Sequence, residues 1–157
     1  MRATTGRVTA APTSIKFTDG NTYLFRPLTD KDFDTLDEWL QSRYVENGMK
    51  AIPAEWPEEK QNAVINSIVR ASLMITFLTP GGLELLGTLQ GMTFVSWLSL
   101  RKEHPHLTLD LVRELLIQKQ NLQLVNEAFR KVNAVPANPH RAKVRMGKNR
   151  NGRKTSR

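Results

Sequence analysis

The sequence predicts a mainly α protein, a compact bundle of four to five helices with a small N-terminal β-hairpin and a basic, disordered C-terminal tail. Three observations predict it. Apolar residues recur at helical spacing in several stretches punctuated by Pro and Gly. Strand-type residues flank one Asp-Gly-Asn turn near the start. The excess positive charge lies wholly at the end: of 23 Lys and Arg against 15 Asp and Glu, eight cations follow His140 and no acid follows Glu127. Residues 1–139 are therefore formally neutral.

A chain of 157 residues is enough for one core, and 39% hydrophobic with 24% charged residues argues against wholesale disorder. The division this predicts is a flexible N-terminus (1–14), a single helical domain with its hairpin (15–135) and a basic tail (136–157). The chain has no cysteine, which removes disulfides, thiolate nucleophiles and Cys-based zinc sites together. No apolar run reaches bilayer-spanning length. The longest, Ala71 to Leu78 and Gly91 to Leu100, read as core helices. Arg2, Arg7 and Lys16 without an acid resemble a transit peptide only faintly, because the bulky apolar face is missing, and a frayed terminus is the reading.

Ile15, Phe17, Tyr23 and Phe25 form the hairpin around Asp19-Gly20-Asn21, with Gly20 free to adopt positive φ. Pro27 stops the pairing. Thr29 is an N-cap, with Asp32 three residues on as a weaker capping box. The helix it opens places Phe33, Leu36, Leu40 and Tyr44 on one side with Trp39 beside them, and ends at Asn47-Gly48. After a loop from Ile52, Pro57 suits the first turn of the next helix, with Glu58 and Glu59 at its positive end. Ile65, Ile68, Val69, Ser72 and Ile75 continue that helix until Thr79-Pro80-Gly81-Gly82 breaks it. A short segment, Leu83 to Leu89, leads to Gly91. Phe94, Val95, Trp97 and Leu98 mark a heavily apolar helix closed by His104-Pro105. Thr108 caps the last helix, whose stripe runs Leu111/Val112, Leu115, Leu122, Val125, Phe129 and Val132. Lys119 interrupts that stripe as a bend or an exposed edge, and Pro136 and Pro139 end the helix.

Few residues invite chemistry. Asp30, Asp32 and Asp34 have the opening spacing of a calcium loop, but Thr35 stands where Gly is needed and Gln41 where a bidentate Glu is needed. Acids stabilising a helix N-terminus explain the cluster better. His104 and His106 flank Pro105 without Cys or a carboxylate pattern, so a surface turn is the reading rather than a metal site. No nucleophile–base pair, phosphate loop or HExxH is present. Gly81-Gly82 reads as a helix break and Gly87 as a close-packing position. The residues thus give no catalytic, cofactor-binding or metal set, and the protein reads as a non-enzyme. Trp39, Trp56 and Trp97 read as core or partner-facing anchors, with Trp56 the most exposed and a hot-spot candidate. In the tail, Arg141, Lys143, Arg145, Lys148, Arg150, Arg153, Lys154 and Arg157 supply a polyanion-binding set, for nucleic acid or an acidic protein. Without an aromatic after Phe129 it offers no base stacking, so nucleic acid would be held non-specifically.

Two stretches carry a family resemblance. Thr22 to Arg43, TYLFRPLTDKDFDTLDEWLQSR, resembles the opening of the small tail assembly chaperones of long-tailed bacteriophages, where a short strand and an Arg-Pro-Leu-Thr-like turn lead into an acidic helix with a Trp-Leu pair. Phe94 to Leu116, FVSWLSLRKEHPHLTLDLVRELL, is similar to their second half. Together they cover somewhat over a quarter of the chain; the middle, Pro53 to Gly91, and the basic tail do not contribute to the resemblance. It implies a protein of the bacterial host cytoplasm that coats the helical tape measure protein, keeps it soluble and helps the tail tube polymerise around it, with no membrane involvement. Under this reading Trp39, Leu40, Trp56, Trp97, Leu98, Leu115 and Leu122 are the partner-binding candidates, in core or groove, and self-association stays open. The competing reading is a small virion-structural or nucleoid-like protein that holds nucleic acid through residues 140–157.

Overall fold

The computed structural model describes residues 11–132. Two strands and six helices follow in order: β1 (Thr13–Lys16), β2 (Thr22–Phe25), α1 (Asp30–Lys50), α2 (Glu58–Ser72), α3 (Pro80–Leu86), α4 (Leu89–Leu100), α5 (Leu109–Ile117) and α6 (Lys119–Val132). The protein is mainly α with a small antiparallel N-terminal hairpin, as the residue pattern predicts.

The hairpin pairs Thr13 with Phe25 and Ile15 with Tyr23, and it turns on Gly20 at φ 85°. Its first strand begins at Thr13, inside the segment expected to be flexible. Period-2 alternation buries Ile15, Phe17, Tyr23 and Phe25 on one face. The free edge of β2 is occupied by the rest of the fold. Leu24 N–H donates to His104 Nε2 (2.9 Å), Arg26 N–H donates to Ser99 O (3.2 Å), and Ser99 Oγ returns a bond to Arg26 O (2.7 Å).

α1 opens with the full capping box: Asp32 N–H reaches Thr29 Oγ1, and Asp32 Oδ2 accepts from Thr29 N–H (2.9 Å). It does not stop at Asn47-Gly48 but runs on to Lys50. Gly48 serves as a packing position instead, since a Cβ there would lie 2.8 Å from Ile68 Cγ2 on α2. Pro57 is the N-cap of α2 rather than a residue of its first turn. α2 ends at Ser72, whose Oγ bonds back to Val69 O (2.7 Å), so Ala71 to Leu78 is not a core helix. Thr79 and Pro80 do not break α2; they start α3, with Thr79 Oγ1 accepting from Gly82 N–H.

α4 is heavily apolar and nearly enclosed, and its buried Thr93, Ser96 and Ser99 hydroxyls donate to Leu89 O, Met92 O and Arg26 O. It separates two clusters. Leu36, Leu40, Phe94, Val95 and Leu98 join it to α1. On the other side Ile15, Phe17, Tyr23, Phe25, Leu107, Val112, Leu116, Val125 and Ala128 gather hairpin, α5 and α6 around Leu100. Phe129 packs against both. Close backbone approaches lie at Gly91, where a Cβ would run into Leu85 O and Leu86 Cα, and at Gly82, where it would run into Thr76 O, and not at Gly87, whose Cβ position meets only ordinary contacts.

The single terminal helix expected from Thr108 is two helices. Gln118 takes extended angles (φ −68°, ψ 112°), one residue before Lys119, where the stripe is interrupted. Asn121, 0% exposed, explains the break. Its Nδ2 donates to Leu115 O (2.9 Å) and Thr18 Oγ1 (3.0 Å), and its Oδ1 accepts from Thr18 N–H (3.0 Å). This swings α6 back over the hairpin and adds a sixth helix to the bundle.

Candidate interaction surfaces

Two surfaces follow from this framework. The first is a helical arm. From Gln41 to Ala71 no residue is buried, although Tyr44, Val45, Ile52, Val64, Ile65 and Ile68 are half-buried. The arm is anchored where α1 meets the segment after α2: Gln41 Nε2 donates to Ile75 O (3.3 Å) and Asp37 Oδ1 accepts from Phe77 N–H (2.7 Å). Those bonds turn Ile75 and Phe77 inward, with Phe77 stacked on Phe33 at 4.5 Å, and leave apolar residues on either side of them outside. Leu73 (68% exposed), Met74 (75%), Leu78 (74%) and Leu83 (57%) therefore stand in solvent, with Val69 at the end of α2. Singly exposed apolar residues are ordinary, but five within fifteen positions of sequence are not.

The second surface is a groove of about 470 Å³ between the hairpin turn and α5. Its apolar floor is Leu107, Leu111 and Leu115, and its rim carries Asp19, Glu114, His106 and Gln118; no Lys or Arg lines it. Tyr23 Oη donates to Asp19 Oδ2 (2.7 Å), and that bond, against some burial, lowers the Asp19 pKa and keeps the rim anionic. Burial, then the Asp19 carboxylate, raises the Tyr23 phenol.

Beside the groove, burial foremost and then the charge of His106 lower the His104 pKa, against the opposing Glu103. The imidazole is edge-on to Tyr23 and spends its Nε2 lone pair on Leu24 N–H. It is a structural acceptor in the fold, not a simple turn residue. Among the described residues no group of three or more His, Cys, Asp or Glu is placed to hold a metal ion.

The sequence candidates scatter over these features. Leu40 (0% exposed) and Leu98 (2%) are core and unavailable to a partner. Trp39 is half-buried, stacked on Phe94 at 4.7 Å, with the Arg43 guanidinium over its ring. Trp97 is half-buried, its Nε1 donating to Leu107 O (3.1 Å). Trp56 is half-buried, not freely exposed, with Lys60 Nζ 3.6 Å from its ring centroid. Leu115 lines the groove, and Leu122 is half-buried on α6. The eight tail cations from Arg141 to Arg157 lie outside the described residues. Sequence reasoning missed Leu73, Met74, Leu78 and Leu83. The signal was present in Ser72, a residue that bonds its own backbone and favours helix ends. No described helix is long and apolar enough to cross a membrane. Comparison of the chain with protein-family models, with curated proteins and with solved structures gave no match in any of the three.

Proposed function

We propose that the protein is a non-enzymatic tail assembly chaperone of a long-tailed bacteriophage, one that holds the tape measure protein in the host cytoplasm and assists tail tube assembly. The observation that carries this reading is the exposed apolar run Val69, Leu73, Met74, Leu78 and Leu83 beside an arm with no buried residue. An amphipathic client helix placing apolar residues at i, i+3/i+4 has anchors of the right chemistry to meet there. Fully burying four such side chains is worth roughly 6–12 kcal/mol, against an association cost of about 4–15. One copy therefore holds its client weakly, and many copies along a long client hold it by avidity. Weak individual contacts suit a chaperone that must be displaced as the tube forms.

Coexpression with a phage tape measure protein, followed by sedimentation, tests this. Soluble client with the wild-type chain, and insoluble client with Leu73→Asp/Leu78→Asp, supports it. A client that stays insoluble with either form sinks it. The eight cations of residues 141–157 favour the second reading, a virion-structural or nucleoid-like polyanion binder. Its mark is an affinity for DNA that falls steeply with salt, by about a power of 0.7–0.9 per neutralised phosphate.

A further inference from the structure

We propose that residues 141–146 of the chain's own basic segment dock in the groove between the hairpin turn and α5. The groove has an apolar floor in Leu107, Leu111 and Leu115, an anionic rim in Asp19 and Glu114 beside His106, and no Lys or Arg of its own. Leu111 is 43% exposed, so the floor is open to an occupant.

The chain supplies a segment with the complementary pattern. In Arg141-Ala142-Lys143-Val144-Arg145-Met146, cations and apolar residues alternate. An extended backbone places alternate side chains on opposite sides. Val144 and Met146 thus face Leu111 and Leu115 together, while the long stems of Lys143 and Arg145 bend their charges back toward Glu114 and Asp19.

Reach permits it. From Asn121 at the groove to Val132 is eleven residues of α6, about 16 Å. Residues 133–140 span up to about 26–29 Å when extended, enough to return from the end of α6 to the groove. This contact does not rest on the chaperone reading. It would keep the segment's charge close to the body in the absence of another partner.

The test uses the full chain, whose lack of cysteine allows one clean label. Asn149→Cys carries a nitroxide, and amide intensities are read by NMR at low salt. Loss of most intensity at Leu111, Leu115 and Gln118, with Val64 and Ile68 unaffected, supports docking. The loss must disappear in Val144→Asp and shrink in Glu114→Gln or at ~0.5 M salt, where the Debye length falls to roughly 4 Å. Intensities that stay intact, or that fall equally on the arm, overturn it. So does attenuation that arises only from mixing labelled molecules with unlabelled isotope-enriched ones, because that contact runs between copies.

Discussion

Arg101 Nη2 lies 2.7 Å from Asp32 Oδ1, joining the end of α4 to the first turn of α1 across 69 positions of sequence. Asp32 is 3% exposed and also accepts from Thr29 N–H and from Thr29 Oγ1 (2.6 Å), with Lys102 Nζ at 3.8 Å. One carboxylate thus closes the capping box and fastens two helices. Asp32→Ala removes both functions and is expected to cost about 2–4 kcal/mol. Arg101→Met leaves the cap intact and Lys102 near, and is expected to cost less, about 1–3 kcal/mol. Urea unfolding of the two variants checks the order, and the reverse order would show that the cap contributes little.

Stability should fall on acidification in two windows. Burial and the His106 charge set the His104 pKa below its ordinary value, so the folded state takes up a proton less readily than the unfolded chain. The contribution is complete above the unfolded pKa of about 6.5 and is lost as pH falls below it. For Asp32, burial pushes the carboxyl up, but the Thr29 and Arg101 bonds outweigh it and hold the pKa below the ordinary value. That contribution is present above the unfolded pKa of about 3.9 and is lost as pH falls through the folded one. Urea midpoints at pH ~7.5 and ~5.5 should differ in the wild type and converge in His104→Gln, whose amide oxygen still accepts from Leu24 but does not titrate. Equal wild-type midpoints would remove His104 from this account.

Gly91→Ala tests the packing of α3 on α4. The added methyl has no flexible side chain to displace, only the backbone of Leu85 and Leu86. The helix-propensity gain of up to about 1 kcal/mol is outweighed, and a net loss of about 1–3 kcal/mol is expected. Thermal unfolding reads the sign directly, and a raised Tm would mean the two helices separate easily.

Asn121→Leu keeps side-chain volume but orphans Thr18 N–H and Leu115 O while removing the bond to Thr18 Oγ1. The bonds are part-buried and Thr18 itself is exposed, so the two unmet groups together cost up to about 2–6 kcal/mol. Amide exchange at Thr18 should accelerate with it. Slow exchange in the variant would place the hairpin's anchorage elsewhere.

Leu78→Ser should leave the urea midpoint within about 0.5 kcal/mol of wild type, because the side chain is 74% exposed. The same change should weaken client retention in the sedimentation assay. A substantial loss of stability would instead assign Leu78 to the fold.

Legibility followed the range of the interactions. The hairpin turn and the Thr29–Asp32 box are local chemistry, and both stand where the sequence places them. The enclosure of α4 was legible in its density of apolar residues, Phe94, Val95, Trp97 and Leu98 above all. Leu40 and Trp39, one residue apart, look alike in sequence, and only packing against α4 makes the first core and the second a half-open stack on Phe94. The end of α2 was missed because apolar residues continue past Ser72 and periodicity does not register a back-bonded serine. Asn121 was invisible for a different reason: its partner Thr18 is 103 positions away.

That separation has a consequence for synthesis. Phe17, Tyr23 and Phe25 leave the ribosome with their aromatic face uncovered, and the helices that close over it, α5 and α6, are made about a hundred residues later. At roughly 5–20 residues per second, the nascent hairpin waits some 5–20 s for its cover. During that interval α1 and α4 can already assemble around Leu36 and Leu98, so the half of the core begun first is completed last.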